Sequence, residues 1–236
     1  MAAIGLTEAD LQDSIHTLYE VDATTPATTD DDYIIRRRLI NIMINRWENN
    51  MGTLWNELWT NTDILSTGGT LTIATGDTTY LTPTAFMFAG GFVKIMNGTE
   101  VSQTLRVVKP EEAQATPNTQ LAYFSGSPSG GYSLVLNVEP TADMNGYTLK
   151  YDYYKRAEAL ATTTDKSEML DPYYIVYGVV AELHKGDNNI VLYEATLNEA
   201  EERLRQMVVK NTLNANYQDA GLQDQQFIST GAAFGR

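Results

Sequence analysis

Residues 168–187 read EMLDPYYIVYGVVAELHKGD, and this segment marks a return of the chain to helical structure. Asp171 and Pro172 form a helix start, because a capping carboxylate precedes a proline whose missing N–H is not needed in the first helical turn. The run from Tyr173 to Leu183 is apolar on nearly all sides, which is typical of a central helix covered by its neighbours. Gly186 is predicted to end this helix.

An amphipathic helix follows the central one, and its charged face is expected to be exposed to solvent. Its apolar stripe is predicted to face the core and consists of Ile190, Tyr193, Leu197, Ala200, Leu204 and Met207. Beyond about Asn214 the chain becomes polar and has too little apolar surface to offset the entropy of ordering by itself. This arm is predicted to be extended, and it is either a disordered end or a segment that docks on a partner. The docking alternative would use the apolar anchors Tyr217, Phe227, Ile228 and Phe234.

Two further helices are predicted near the start of the chain. The first begins after Thr7, which can form a capping box with Asp10, and its inward stripe is Leu11, Ile15 and Leu18. The second begins at the acidic residues 30–32, whose charges favour the positive end of the helix dipole. Its buried face is predicted to consist of Ile35, Leu39, Ile42, Met43 and Trp47.

Three consecutive arginines, Arg36, Arg37 and Arg38, lie on the second helix. Successive helical residues are separated by about 100°, so these side chains fan over much of the circumference and cannot form one flat phosphate-binding face. We therefore expect them to form salt bridges, within the subunit or between subunits, rather than to bind nucleic acid.

Trp47, Trp55 and Trp59 are clustered where the helical pattern ends. Such a cluster is either a stacking platform for sugars or bases or a packing seam between two modules, and we favour the seam. The spacing of Trp55 and Trp59 predicts that both lie on one face of a short helix.

The pattern changes to a period of two from about residue 66 to residue 155. Leu134 and Leu136 share one predicted strand face, and Leu149 and Tyr151 share another. Frequent turn signals between short strands indicate an antiparallel β-sandwich or small barrel. The glycine- and serine-rich run at 126–131 lacks the lysine and following helix of a phosphate loop, so it is predicted to be a hairpin loop.

The predicted fold is therefore α+β: a helical bundle with an inserted antiparallel β domain and an extended C-terminal tail. The boundaries divide the chain into four parts: N-terminal helices of the bundle at 1–62, the inserted β domain at 63–158, C-terminal helices of the bundle at 159–213 and a polar C-terminal arm at 214–236.

Composition argues against most enzyme classes. The chain has no cysteine, and its histidines are His16 and His184. It contains no phosphate loop, nucleophile elbow or metal-ligand motif, so we expect neither catalytic residues nor a metal or cofactor.

The formal charge of −14 opposes binding to duplex DNA, which depends on cations that release counterions. The chain starts without a secretory signal pattern and has no apolar run of the roughly 20 residues that a bilayer requires, so no membrane association is expected.

Several segments together resemble the head-to-tail adaptor family of tailed bacteriophages, also called connector or head-completion proteins. The resemblance lies in RRRLINIMINRWENNMGTLWNEL (36–58), TTYLTPTAFMFAGGFVKI (78–95), YFSGSPSGGYSLVLNVEP (123–140), YDYYKRAEAL (151–160) and EMLDPYYIVYGVVAELHKGD (168–187).

This resemblance implies a ring, commonly twelvefold, in the neck of the virion between the portal and the tail or nozzle protein, assembled in the host cytoplasm. DNA would pass through the ring without specific binding. The C-terminal segment in such proteins often docks on the portal, which favours the anchor interpretation of Phe227, Ile228 and Phe234.

Two other classes of function remain as alternatives. A glycan-binding module of a virion tail appendage would use tyrosines of the β domain as stacking platforms, which requires those tyrosines to be exposed in one groove. A glycosidase would need two carboxylates about 5 to 10 Å apart in a cleft, and the sequence favours no such pair. We rank the adaptor first, the glycan-binding module second and the enzyme a distant third.

Overall fold

The computed structural model describes residues 5–20, 25–50, 52–62, 71–89, 91–127 and 130–230, with the side chains of the last helix described as far as residue 212. The fold is mixed α+β. The chain divides into two compact units, which we call the helical unit (Met1–Glu57 with Ala157–Arg236) and the β unit (Leu58–Arg156).

Five α-helices are present in the described residues, and all except α3 lie in the helical unit. They are α1 (Glu8–Tyr19), α2 (Asp31–Glu48), α3 (Pro110–Ala115), α4 (Tyr173–Gly186) and α5 (Ile190–Thr230). The predicted capping box of α1 is confirmed. The Thr7 hydroxyl accepts a hydrogen bond from the N–H of Asp10 at 3.1 Å, and the Asp10 carboxylate accepts one from the N–H of Thr7 at 3.0 Å.

Helix α4 is the centre of the helical unit and packs against α1, α2 and α5. This confirms the prediction from its apolar sequence. Its N–H at Tyr173 donates to the Asp171 carboxylate at 3.1 Å, and the helix ends at Gly186 as predicted. Gly178 permits a close approach of α2, because a Cβ atom at this position would lie 2.1 Å from Cε of Met43.

The predicted buried face of α2 is wrong for Ile35 and Ile42, which are both exposed, and Leu39 is only partly buried. The residues that face the core are Tyr33, Arg36, Ile40, Met43, Ile44 and Trp47. The helix carries aliphatic residues on both faces, so the apolar pattern alone fits two orientations. Burial of Arg36 decides between them, because His16 of α1 and Glu20, the residue that follows α1, supply partners for its guanidinium.

The predicted inward stripe of α5 is also wrong at its first residue, because Ile190 is exposed. Ala200 and Met207 are buried as expected. The ammonium group of Lys185 in the last turn of α4 lies 5.7 Å from the centre of the Tyr193 ring. Ile190 is the first residue of α5, almost one turn before Tyr193.

The extended C-terminal tail predicted for 214–236 is not observed where the structure describes it, because α5 continues as a helix to Thr230. The physical reason is that extending an existing helix adds one hydrogen bond for each residue fixed, whereas starting a new helix is unfavourable. Residues 214–230 contain no proline that would stop this extension.

The tryptophan cluster is divided between the two units. Trp47 and Trp55 are buried in the helical unit with ring centres 5.2 Å apart, and the Trp55 indole donates to the carbonyl oxygen of Trp47 at 2.7 Å. The helix predicted to carry Trp55 and Trp59 on one face is not formed. A short 3₁₀ helix (Asn56–Leu58) lies between them, and Trp59 begins a strand.

The β unit contains ten strands among its described residues. They are β1 (Trp59–Asn61), β2 (Leu71–Thr72), β3 (Thr79–Leu81), β4 (Phe86–Ala89), β5 (Phe92–Asn97), β6 (Glu100–Val107), β7 (Leu121–Ser127), β8 (Gly131–Leu136), β9 (Thr148–Lys150) and β10 (Asp152–Lys155). They form a three-stranded sheet in the order β1-β10-β4 and a seven-stranded sheet in the order β2-β9-β5-β6-β7-β8-β3.

The strands pair in antiparallel fashion, as predicted, except that β6 and β7 are parallel. This exception arises because α3 lies in the connection between them and returns the chain to the same end of the sheet.

The edge strands β2 and β3 are joined by residues 73–78 alone, which include a turn at Gly76. Six strand spacings of about 4.8 Å are wider than this short segment can span, so the sheet curls and is nearly closed.

The core of the β unit confirms the predicted period of two. Leu134, Leu136, Leu149 and Tyr151 are all buried in one hydrophobic cluster, together with Phe86. The hydroxyl group of Tyr151 finds no hydrogen-bond partner in the described part of the chain, and burial raises the pKa of this group well above its ordinary value.

Strands β7 and β8 pair as an antiparallel hairpin, as predicted, with Ser127 opposite Gly131. Gly126 has φ of +141°, and a Cβ atom there would lie 2.2 Å from the carbonyl oxygen of Gly131 and 2.7 Å from Cα of Tyr132. We expect Gly126→Ala to lower the free energy of unfolding by about 2–3 kcal/mol, since both the backbone strain and the clash oppose it. Chemical denaturation would measure this effect.

Gly131→Ala is the matched control. Gly131 also has a positive φ, +80°, but a Cβ atom there meets no other atom within 4 Å. Only the strain term of about 1 kcal/mol should remain. Equal losses of stability for the two variants would contradict the proposed clash.

Candidate protein-interaction sites

The three consecutive arginines of α2 have different environments. Arg36 and Arg37 form ion pairs with residues of their own chain, namely Glu20 and Glu8. Arg38 is exposed, and no ion pair or side-chain hydrogen bond of Arg38 is found among the described residues. Of the three predicted inter-subunit residues, Arg38 is therefore the one whose guanidinium is available to a neighbour.

Arg36 is buried between α1 and α2. Its Nη2 donates to Oε1 of Glu20 at 3.0 Å, and its Nη1 lies 3.1 Å from Nδ1 of His16. Because a guanidinium can only donate, Nδ1 of His16 must accept, so the ring proton resides on Nε2. His16 is buried, and this contact gives it a structural role.

Glu8 is fully buried and holds a second polar cluster together. Its carboxylate accepts hydrogen bonds from Nε of Arg37 at 3.1 Å, from Nε2 of Gln12 at 3.0 Å and from the hydroxyl of Tyr33. Burial and the bond to Glu8 raise the pKa of Tyr33 to about 12. The cluster joins α1 to α2 and uses the charge of Arg37 inside the subunit.

The opposite face of α2 forms an open groove of about 940 Å³. We call this surface the α2 outer face. Arg38, Ile42, Asn45 and Asn49 line the groove, and Ile35 lies one turn before Arg38 on the same face of the helix. They follow one another at spacings of three and four, so they lie along one face of the helix. Sequence reasoning assigned Ile35 and Ile42 to the core and missed this surface, although the spacing was present in the sequence.

A row of three aromatic rings crosses the three-stranded sheet of the β unit. Trp59, Tyr154 and Phe88 are cross-strand neighbours, with ring centres 4.7 Å and 5.0 Å apart. Trp59 and Phe88 are exposed. Asn61 and Asp152 pair beside them and lie on the same face of the sheet, because side chains two residues apart along a strand point the same way. This aromatic row combines an apolar platform with neighbouring polar side chains.

The predicted portal anchors fall largely outside the described side chains. Tyr217, Phe227 and Ile228 belong to the helical backbone of α5, while Phe234 lies outside the described residues. The last α5 side chain seen to bond to the rest of the helical unit is that of Asn211. Its amide accepts from the N–H of Asn56 at 2.9 Å and donates to the carbonyl oxygen of Leu54 at 2.7 Å.

No group of three or more histidine, aspartate or glutamate side chains in the described ranges is arranged to hold a metal ion. No helix in these ranges has the length and apolar character needed to span a bilayer.

Comparison with known proteins adds no relative to this picture. No protein-family model matches the chain, and no curated protein matches it significantly.

Proposed function

We propose that this protein is a structural head-to-tail adaptor of a tailed bacteriophage. In this role it forms a ring of identical subunits in the neck of the virion, between the portal and the tail or nozzle protein, and surrounds the passage of the DNA. The helical unit is the bundle of the adaptor, and the β unit is its inserted small barrel. The proposal assigns no catalytic residue, metal or cofactor.

The observation that carries the proposal is the insertion of the β unit, Leu58–Arg156, between the two halves of the helical unit. The resemblance to adaptors implies this same order of modules. The charge of −14 also supports the role, since an acidic lining attracts few phosphates and lets DNA slide. The α2 outer face supports it further, because a ring subunit needs surfaces for its neighbours.

Deleting residues 215–236 tests the portal-docking part of this proposal. We expect portal attachment to fall at least tenfold, because apolar anchors contribute about 1.5–3 kcal/mol each when buried. The free energy of unfolding should change by less than about 0.5 kcal/mol, since the described bonds of α5 to the rest of the helical unit end at Asn211. Co-sedimentation with the portal protein and chemical denaturation measure the two quantities.

Two outcomes count against the proposal. If the truncated chain attaches to the portal as well as the full chain does, the docking arm is wrong. If the full chain neither attaches to portals nor forms rings on them in negative-stain micrographs, the adaptor function itself is wrong.

The aromatic row favours a second candidate function, binding of a neutral glycan by a tail appendage. Tyr80, Tyr151 and Tyr153 are buried, which weakens a platform built from many tyrosines, but the row of Trp59, Tyr154 and Phe88 provides a smaller one. Aromatic rings stack on the apolar faces of sugars, and adjacent amide and carboxylate groups can bind their hydroxyls.

A titration with neutral hexasaccharides, such as maltohexaose and cellohexaose, tests this second candidate. Trp59→Ala should weaken binding about tenfold, because a stacked ring is worth about 1.4 kcal/mol. Phe92→Ala is the control, since Phe92 is exposed on the β unit but does not belong to the row. Absence of binding by the unaltered protein would eliminate this candidate.

A further inference from the structure

Two exposed apolar surfaces of the helical unit have complementary character. The first is the α2 outer face, where Ile35 is 46 % exposed and Ile42 is 45 % exposed. The second is the first turn of α5, where Ile190 is 65 % exposed and Val191 is 77 % exposed. Exposure of this extent shows that neither surface covers the other within one subunit. Each presents aliphatic side chains to solvent, which is unfavourable unless another surface covers them.

The charges on the two surfaces are opposite. Arg38 lies between Ile35 and Ile42 on the α2 outer face. On α5 the exposed carboxylates of Glu194 and Glu201 lie on the same side of the helix as Val191, because residues three or four positions apart share a face. An acidic helix with an apolar first turn is therefore a chemically matched partner for the α2 outer face.

The shape of the two surfaces also fits a helix-to-helix contact. The α2 outer face is an open groove, and Ile42 presents an aliphatic side chain in it. The outward side of α5 presents the aliphatic side chain of Val191, followed on the same face by Glu194, Asn198 and Glu201. Side chains on the facing side of one helix insert between those of another helix.

We propose that the α2 outer face of one subunit binds the outward side of the first turns of α5 of a second copy. The contact is heterologous, because different surfaces of the two copies meet, and repetition of such a contact builds a ring or a filament. This inference rests on the proposed adaptor function, for which it names the contact between neighbouring subunits. A contact of a few side chains is weak alone and gains strength when a template holds the neighbours in register.

Disulfide trapping tests the contact directly, since the chain contains no cysteine. A variant carrying Ile42→Cys and Val191→Cys, oxidised at millimolar protein concentration, should form a ladder of dimers, trimers and larger species on a non-reducing gel. Each subunit carries both halves of the contact, so growth continues beyond the dimer, and reductant should collapse the ladder. Both positions are exposed, so the fold should be retained, which circular dichroism checks.

The matched control carries Ile42→Cys and Val101→Cys, because Val101 is 52 % exposed but lies on strand β6 of the β unit. Random collisions would give the two double variants equal ladders, and that result would overturn the proposal. So would dimers from Ile42→Cys alone in the same yield, which would show that two α2 helices meet instead. No ladder from the first pair, in solution and on portals, would also overturn it.

A charge exchange tests the proposed contact independently of the cross-linking positions. Arg38→Glu in the trapping pair should slow ladder formation at least about tenfold, since like charges at a contact are repulsive. Adding Glu194→Arg should restore the rate. Failure of the second change to restore it would contradict the assigned pairing of Arg38 with Glu194.

Portal attachment by the unaltered protein, compared with cross-linking of the cysteine pair, distinguishes failure of this inference from failure of the adaptor function. If it forms rings on portals but the pair does not cross-link there, the adaptor function stands and the subunits meet elsewhere. If the pair forms its ladder while the unaltered protein never attaches to portals, self-association stands and the adaptor function fails. If Arg38→Glu removes portal attachment and no ladder forms, the portal covers α2 and the second-copy proposal is wrong.

Discussion

Replacing Glu8 by alanine is expected to lower the free energy of unfolding by about 3–5 kcal/mol. The carboxylate is fully buried and accepts three side-chain hydrogen bonds, from Gln12, Tyr33 and Arg37. Its removal leaves the buried side chains of Gln12 and Tyr33 without this acceptor, and leaves Arg37, whose side chain is 27 % exposed, without its ion-pair partner. The loss should therefore exceed that of an ordinary surface ion pair, which is about 0–1 kcal/mol. Urea denaturation followed by tryptophan fluorescence measures it.

Glu8→Gln is the control that separates charge from shape. Glutamine fills nearly the same volume and can still accept a hydrogen bond, so we expect it to lose clearly less stability than alanine. A change below about 1 kcal/mol for Glu8→Ala would mean that the polar cluster does not hold α1 to α2.

Replacing Trp55 by alanine is expected to have an effect of the same size, about 3–5 kcal/mol. Trp55 is buried and packs on Trp47, and its indole N–H donates to the carbonyl oxygen of Trp47. The substitution creates a cavity and removes this bond. It also loosens the segment after α2 that Asn211 of α5 holds through Leu54 and Asn56.

Trp55→Phe distinguishes the ring from its hydrogen bond. Phenylalanine retains most of the apolar surface but leaves the Trp47 carbonyl oxygen without its indole donor, so we expect a smaller loss, about 1–3 kcal/mol. If both variants unfolded at the same denaturant concentration as the unaltered protein, the two tryptophans would not be part of the core.

The losses of stability expected for Glu8→Ala and Trp55→Ala both concern the helical unit, on which the proposed function depends. The helical unit carries the α2 outer face, the first turn of α5 and the arm proposed to reach the portal. Its rigidity keeps these surfaces at constant positions on each subunit, and repeated contacts close into a ring only when that geometry is constant.

Patterns among residues close together in the sequence were sufficient to predict helix α4, the capping box of α1 and the hairpin between β7 and β8. Helix α4 could be predicted because it is apolar on nearly all sides, so no choice of face was needed. The capping box at Thr7 depends on residues three positions apart. The hairpin at 126–131 depends on glycines that accept a backbone unfavourable to other residues.

The orientation of α2 could be determined only in the tertiary structure. Its sequence has two apolar faces, and a rule that keeps arginine out of the core selects the wrong one. His16 of α1 and Glu20, the residue that follows α1, provide the contacts that make burial of Arg36 favourable. The same error concealed the α2 outer face, because the residues that form it had been assigned to the core.

The amino-acid sequence alone therefore established the α+β class, the capping of α1 and the central helix, because each depends on residues near one another in the chain. The tertiary structure alone decided which face of α2 is buried, that Ile190 is exposed, that β6 and β7 are parallel, and that the aromatic rings of Trp59, Tyr154 and Phe88 form a row. Each of these features depends on contacts between residues far apart in sequence, and the free energy of such contacts overrides local preference where the two compete.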